Sequence, residues 1–239
     1  MPFRSFTLAE VADYLHLKPA AVEDLARRGE IPCLRQGKHL SFSCADIEEW
    51  ASRRLLGLSD ERLADFHHRS TTQYHDLSPN VAIIPRLAKP EWIHPGMTCR
   101  SKPSVIRQMA DYAEETDLLC YHEELLESLV EREKLCSTAL AGGMAMLHPR
   151  VHEPYMFEDS FVVLGKTIAP LPFGSPDRST TDIFFLICCQ DDRIHLHVLA
   201  RLCMMCHHTG LLTLLRDTDD PREMYARLVE AEEQLIKQL

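Results

Sequence analysis

No run in the 239-residue chain approaches the ~20 apolar residues that cross a bilayer, and no stretch near its start joins basic residues to a long apolar segment. These absences predict a protein that is neither exported nor inserted into a membrane. No internal repeat or low-complexity tract is present, which sets solenoid and disordered architectures aside. Cysteine is not scarce, but nine is an odd number for a disulfide framework. Several cysteines sit inside apolar runs, as in Ile187-Cys188-Cys189 and Leu202-Cys203-Met204-Met205-Cys206, the pattern of reduced, buried thiols in a cytosolic protein. Positive charge is what the chain has too little of. Its 26 Lys+Arg against 36 Asp+Glu leave −10, while residues 1–55 carry eight of each, so the whole excess of negative charge falls on the remainder. An acidic body repels a phosphate backbone, and any nucleic-acid contact is left to local basic groups in the N-terminal part.

With 45% apolar and 26% charged residues the composition is that of a globular protein with a real core. The length suits one large unit plus a small one. In the first part, Thr7 followed by Glu10 forms a capping box ahead of an apolar face of Leu8, Val11, Ala12 and Leu15. Pro19 opens a second helix that Gly29 ends. Two alternating segments around Gln36-Gly37-Lys38 read as a small hairpin, a wing, and Ser43 or Cys44 opens a third helix carrying Ile47 and Trp50. Residues 57–98 are broken by Pro79, Pro85, Pro90 and Pro95 and read as a linker merging into the second domain, with a short helix from Ser59-Asp60 and a possible strand at Val81-Ala82-Ile83-Ile84. Beyond them come helices from Lys102 and Tyr121, a glycine turn at Gly142-Gly143, an apolar strand Met144-Ala145-Met146-Leu147 ending at His148, strands at 161–164 and 182–189, and helices at 193–208 and from Pro221. Interspersed helices and short apolar strands indicate an α/β domain.

The segment carrying chemistry runs Arg132-Glu133, then Ser137-Thr138, Gly142-Gly143, and the strand ending at His148. This order resembles the enzyme IIA domains of the fructose/mannitol class of the phosphotransferase system, including the nitrogen-regulatory branch. A second block, Gly165-Lys166-Thr167-Ile168-Ala169-Pro170 followed by Asp182-Ile183-Phe184-Phe185-Leu186 and Arg193-Ile194-His195-Leu196, extends the resemblance over roughly residues 100–239. It implies an enzyme IIA-like mixed sheet flanked by helices, with His148 as phosphoacceptor from a histidine phosphocarrier protein and His195 packed beside it. Leu147 stands where the family carries proline, and Gly142 where it carries Glu or Asn. A neutral imidazole is nucleophilic at cytosolic pH, and its phosphoryl adduct stays reactive enough to pass the group on. His195, Arg132 and the hydroxyl of Ser137 or Thr138 are the candidate donors to the phosphoryl oxygens; no metal or organic cofactor is required. The scheme needs His148 bare and reachable beside His195 and Arg132.

The first fifty residues resemble the excisionase-like helix-turn-helix family, related to the winged domains of the mercury-resistance regulator class, through Thr7 to Leu15, Arg28-Gly29-Glu30-Ile31-Pro32, Gln36-Gly37-Lys38 and Asp46-Ile47-Glu48-Glu49-Trp50. The resemblance implies DNA contact through Lys18, Arg27, Arg28, Arg35 and Lys38. Glu23 and Asp24 make the reading face partly acidic, so binding is expected to be weak or to need a dimer. The expected organisation is a helix-turn-helix domain at 1–56, a linker and domain start at 57–98, and an enzyme IIA-like domain at 99–239. The expected function is a cytosolic regulator whose phosphorylation state alters partner or DNA binding. The alternatives are a non-catalytic protein-interaction module and a transcription factor with a sensing domain. The Cys203-x-x-Cys206 segment is read as core packing and not as a metal site, His197, His207 and His208 are assigned no chemistry, and His67-His68 is read as a solvated pair.

Overall fold

The computed structural model describes residues 5–37, 39–58, 60–71, 81–151, 153 and 155–238. The N-terminal unit runs β1 (Ser5–Phe6), α1 (Leu8–Tyr14), α2 (Pro19–Arg28), β2 (Leu34–Gln36), β3 (His39–Ser43) and α3 (Cys44–Leu56). Its boundaries follow from local chemistry. The Thr7 hydroxyl accepts the Glu10 amide while the Glu10 carboxylate accepts the Thr7 amide at 2.7 Å, Gly29 ends α2 in the left-handed region at φ 68°, and the Ser43 hydroxyl caps α3. Val11, Val22, Phe42 and Ile47 fill the small core, and the Trp50 indole closes it by donating to the Glu30 carbonyl at 2.6 Å. Lys38 and the proposed start of the next helix at Ser59 lie outside the described residues.

The chain continues with α4 (Asp60–Thr71), α5 (Ile84–Leu87), a 3₁₀ turn at Pro90–Trp92, β4 (Ile93–Met97), α6 (Lys102–Glu114), α7 (His122–Leu135), β5 (Ala139–Leu140), β6 (Met144–Leu147), β7 (Phe161–Leu171), β8 (Thr181–Cys188), α8 (Asp192–His208), α9 (Leu211–Arg216) and α10 (Pro221–Ile236). Strands β4 to β8 form one mixed sheet in the order β4-β7-β8-β6-β5, with β4/β7 and β6/β8 parallel and the other neighbours antiparallel. Both faces are covered. Ala145, Leu147, Phe184 and Leu186 point into a core with α6 and α7, while Met144, Met146, Ile183 and Phe185 point into the core that holds α8 and α10. This double burial is why the strands read as continuous apolar runs. The strand expected at Val81–Ile84 is not formed; Ile84–Leu87 is a helical turn, and the amides of Ile83 and Ile84 are taken by the Glu232 carboxylate at 2.8 and 2.9 Å. Strand β4, unforeseen because Pro95 interrupts it, survives at the edge of the sheet, where a missing donor costs no ladder bond.

The connecting stretch is not merely a linker. Helix α4 lies along α8, and Leu63, His67 and Ser70 face inward at helical spacing. His67 is fully buried, which overturns its reading as part of a solvated pair; His68 alone is exposed. The His67 ring stacks on His197 with centroids 4.5 Å apart and accepts from Arg201 Nε at 2.9 Å, and the Ser70 hydroxyl lies 3.2 Å from His197 Nδ1. Arg201 Nη1 pairs in turn with Glu232 Oε1 at 3.2 Å.

Burial, then His197 and the Arg201 cation, hold the His67 imidazole down to about 2 from an ordinary 6.5; burial, then Arg201, hold His197 down to about 3. The unfolded chain therefore takes up protons below 6.5 that the folded one refuses. Stability from these two groups is complete above that pH and is lost as the pH falls from 6.5 toward 3. Urea unfolding is expected to show about 1–2 kcal/mol less stability at about pH 6 than at about pH 7.5. A profile that is flat or rises on acidification would contradict the neutral, buried assignment.

Cys203 and Cys206 are core residues of α8, as expected: burial pushes the Cys203 thiol up to about 12 and the Cys206 thiol well above its usual range.

Candidate functional site

Strand β6 ends at Leu147 and delivers His148 beside the first turn of α8, where His195 stands; the C-terminal turn of α7 brings Arg132 to the same point. The two imidazole rings lie with centroids 4.8 Å apart. The His148 ring is fixed at both nitrogens. Its Nδ1 is 2.9 Å from the Met146 carbonyl, which can only accept, so the network assigns the ring proton to Nδ1. Nε2 is then a lone pair, and Arg132 Nε donates to it at 3.0 Å.

Arg132 is held by a second anchor, its Nη1 donating to the Cys136 carbonyl at 3.1 Å. Among the described residues its buried Nη2 finds no hydrogen-bond partner and no carboxylate pairs with the guanidinium. An uncompensated buried cation costs several kcal/mol, so a charge kept in this position is pre-set for an anion. The neighbouring Glu133 points elsewhere and builds the turn that follows. It takes Lys102 Nζ at 2.6 Å and accepts both the Thr138 amide at 2.9 Å and the Thr138 hydroxyl at 2.7 Å. In the sequence Glu133 stands beside Arg132 in the motif without a role of its own, and Lys102 serves only as a helix start; nothing local marks their pairing.

The two hydroxyl candidates depart from expectation. The Ser137 hydroxyl donates to the Phe173 carbonyl at 2.7 Å and the Thr138 hydroxyl to Glu133, so the single proton of each is spent on the turn and not on His148. Gly142 and Gly143 form the β5–β6 turn at φ 88° and 83°, a region side chains rarely adopt. A Cβ on Gly143 would meet Arg216 Nη2 at 2.6 Å, the group that ties this turn to Asp182. Leu147 keeps its place in the β6–β8 ladder opposite Leu186 and packs toward α6 and α7.

Proximity is met and reachability is not. His148, His195 and Arg132 are only 2%, 1% and 1% exposed. His195 Nε2 lies 3.4 Å from the buried hydroxyl of Ser52, a residue of α3 in the N-terminal unit.

Of the cations nominated for DNA, Lys18, Arg27, Arg28 and Arg35 are exposed, but two are already engaged: Arg27 pairs with Asp24 at 3.0 Å and Arg28 with Glu30 at 2.9 Å. Lys18 precedes α2 and Arg35 lies on β2.

The family model for the phosphoenolpyruvate-dependent sugar phosphotransferase system, EIIA 2, matches residues 86–231, more than half of the chain, and the model for a helix-turn-helix domain matches residues 5–55. A nitrogen regulatory protein of Bradyrhizobium diazoefficiens is 28% identical over 148 residues, which are 61% of this chain and 94% of that protein. Among solved structures, nitrogen regulatory protein IIA-Ntr of Neisseria meningitidis aligns with a TM-score of 0.56 at 23% identity, covering 62% of this chain and 99% of that one. IIA mannitol of Escherichia coli aligns with a TM-score of 0.53 at 20% identity, covering 59% and 98%. The two structures establish likeness of fold. No helix among the described residues is long and apolar enough to cross a membrane.

Proposed function

The chain belongs to the EIIA 2 family of the phosphoenolpyruvate-dependent sugar phosphotransferase system, with a helix-turn-helix domain ahead of it, and we propose that it is a cytosolic regulatory phosphoryl-relay protein working through His148. A single observation carries the reading. A buried arginine with no counter-ion among the described residues donates to the lone pair of a histidine whose other nitrogen is fixed by a carbonyl.

The step is an exchange of phosphorus–nitrogen bonds. The Nε2 lone pair of His148 attacks phosphorus on the phosphohistidine of a carrier protein, the carrier's phosphorus–nitrogen bond breaks, and its electron pair returns to the carrier's imidazole. The proton on Nδ1 stays, supported by the Met146 carbonyl. Once Nε2 is bonded to phosphorus, Arg132 Nε loses its acceptor and, with Nη2, faces the phosphoryl oxygens. Charge there is met by donors already in place. His195 lines the same space.

Incubation with the phosphoenolpyruvate-driven carrier system is expected to place one acid-labile phosphate on wild type and none on His148→Ala. Label on the alanine variant, or none on wild type, would remove the relay. The enclosure of both imidazoles favours a second reading, a protein-interaction module without transfer, and a stable partner from an unlabelled preparation would support it. For the coupling to DNA, phosphorylated and unphosphorylated protein are compared on duplex DNA in low salt, where phosphate contacts are strongest. Equal retention would end that part of the proposal.

A further inference from the structure

Resting on the phosphoryl-transfer reading, we infer that the N-terminal module is the site's own cover, and that α3 must part from α8 before a phosphoryl donor can reach His148. Both α3 and α4 lie on α8, the helix that carries His195. Part of the boundary of the imidazole pair belongs to the enzyme IIA-like domain itself: Arg132, the Met146 carbonyl and the sheet. Another part does not. There the buried hydroxyl of Ser52 lies against His195 Nε2, and Ser52 is 143 residues away in sequence, in the other unit.

The two covering helices are fastened differently. Helix α4 is bolted down by His67 to Arg201 and Ser70 to His197, with Arg201 in turn held by Glu232. Helix α3 packs on α8 with an apolar face that includes Ile47, Ala51 and Leu55, and it meets the site through Ser52 at 3.4 Å, near the limit of a hydrogen bond; Gly57 ends it before α4 begins. The polar anchor and the element that touches His195 are thus separate helices with a glycine between them. A phosphoryl group on His148 would bring about two negative charges into a space sealed from water. Arg132 compensates one, and the rest favours admitting water, which the enclosed arrangement does not allow. Phosphorylation and release of α3 are therefore linked, and the linkage is reciprocal: whatever holds α3 down disfavours the phosphorylated state.

The full chain is used throughout, because one apolar core runs continuously from Val11 to Leu235 through both units. The probe is phosphoramidate, a small donor that needs no docking surface. The His148 Nε2 lone pair attacks its phosphorus, the phosphoramidate phosphorus–nitrogen bond breaks, and the electron pair leaves with ammonia. Ser52→Trp puts an indole where only a hydroxyl fits and wedges α3 away. Labelling of His148 is expected to be at least about tenfold faster in this variant than in wild type. The label should vanish when His148→Ala is added, which shows that the gain is not the random labelling of an unfolded chain. Carrier-driven transfer should accelerate in parallel. Equal rates in wild type and Ser52→Trp overturn the cover while leaving the relay standing; no label on either, from either donor, overturns the relay. A measurement on wild type alone gives a second test. After carrier-driven phosphorylation, amide hydrogen exchange over 44–56 is expected to quicken about tenfold, while α4 stays protected; unchanged exchange in 44–56 overturns the cover.

Discussion

Glu232→Ala is expected to lower the unfolding free energy by about 3–5 kcal/mol, which would bring a protein of ordinary stability close to unfolding. The carboxylate is fully buried and serves three donors at once: the amides of Ile83 and Ile84 and the guanidinium of Arg201. Truncation leaves two buried amides without acceptors and a buried cation without its partner, and each loss carries the desolvation penalty of the group left behind. Burial lowers the Arg201 pKa, and burial raises that of Glu232 even though the two amides and Arg201 pull the other way. The pair is therefore expensive to keep dry, and its role is to fix α5 and α8 against α10. Replacing both partners, Arg201→Met with Glu232→Leu, is expected to recover part of the loss but not all, since the Ile83 and Ile84 amides remain unsatisfied. Urea unfolding of the three proteins tests this. A loss below about 1 kcal/mol in Glu232→Ala would mean that water or a neighbouring acceptor replaces the carboxylate.

That network also marks where sequence reading stops. The N-terminal elements were legible because their signals are local: the Thr7–Glu10 capping box, Pro19 and Gly29 around α2, and Ser43 before α3 each act within a few residues. The meeting of His148, His195 and Arg132 was legible through the order of several motifs, although only the fold brings residues from a strand, a helix start and a helix end together. Ser52, His67 and Glu232 were not legible. Each is a polar residue on an amphipathic helix, the ordinary mark of a solvated face, and its decisive partner lies 143, 134 and 149 residues away. Val81 to Ile84 shows the opposite failure. A short run of four apolar residues fits a strand and a buried helical turn equally well, and the carboxylate that decides between them comes from the far end of the chain. Ser137 and Thr138 stand near Arg132 in sequence, yet the acceptors that claim their protons, the Phe173 carbonyl and Glu133, are visible only in three dimensions.

Arg132→Met is expected to separate function from stability. Transfer to His148 should fall by about 10²–10³-fold, the usual cost of removing a donor aimed at developing charge, because in the proposed relay Nε and Nη2 would meet the phosphoryl oxygens. The same change removes a buried cation that has no counter-ion among the described residues and puts an apolar chain of similar length in its place, so the folded protein should be as stable as wild type or more so. Hydrogen bonds to the Cys136 carbonyl and His148 Nε2 are lost, which limits the gain. The opposed directions make the test informative. If Arg132 were only a structural brace for the α7–β5 turn, Arg132→Met would unfold at lower urea and lose transfer in proportion to the unfolded fraction. If it is held there for an anion, labelling collapses while the urea midpoint stays level or rises. Arg132→Lys sharpens the distinction: it keeps the charge but lacks the planar fork that bonds His148, Cys136 and the phosphoryl oxygens together, so it should transfer poorly as well. Full activity in the lysine variant would show that charge alone, and not the two-pronged geometry, is what His148 requires.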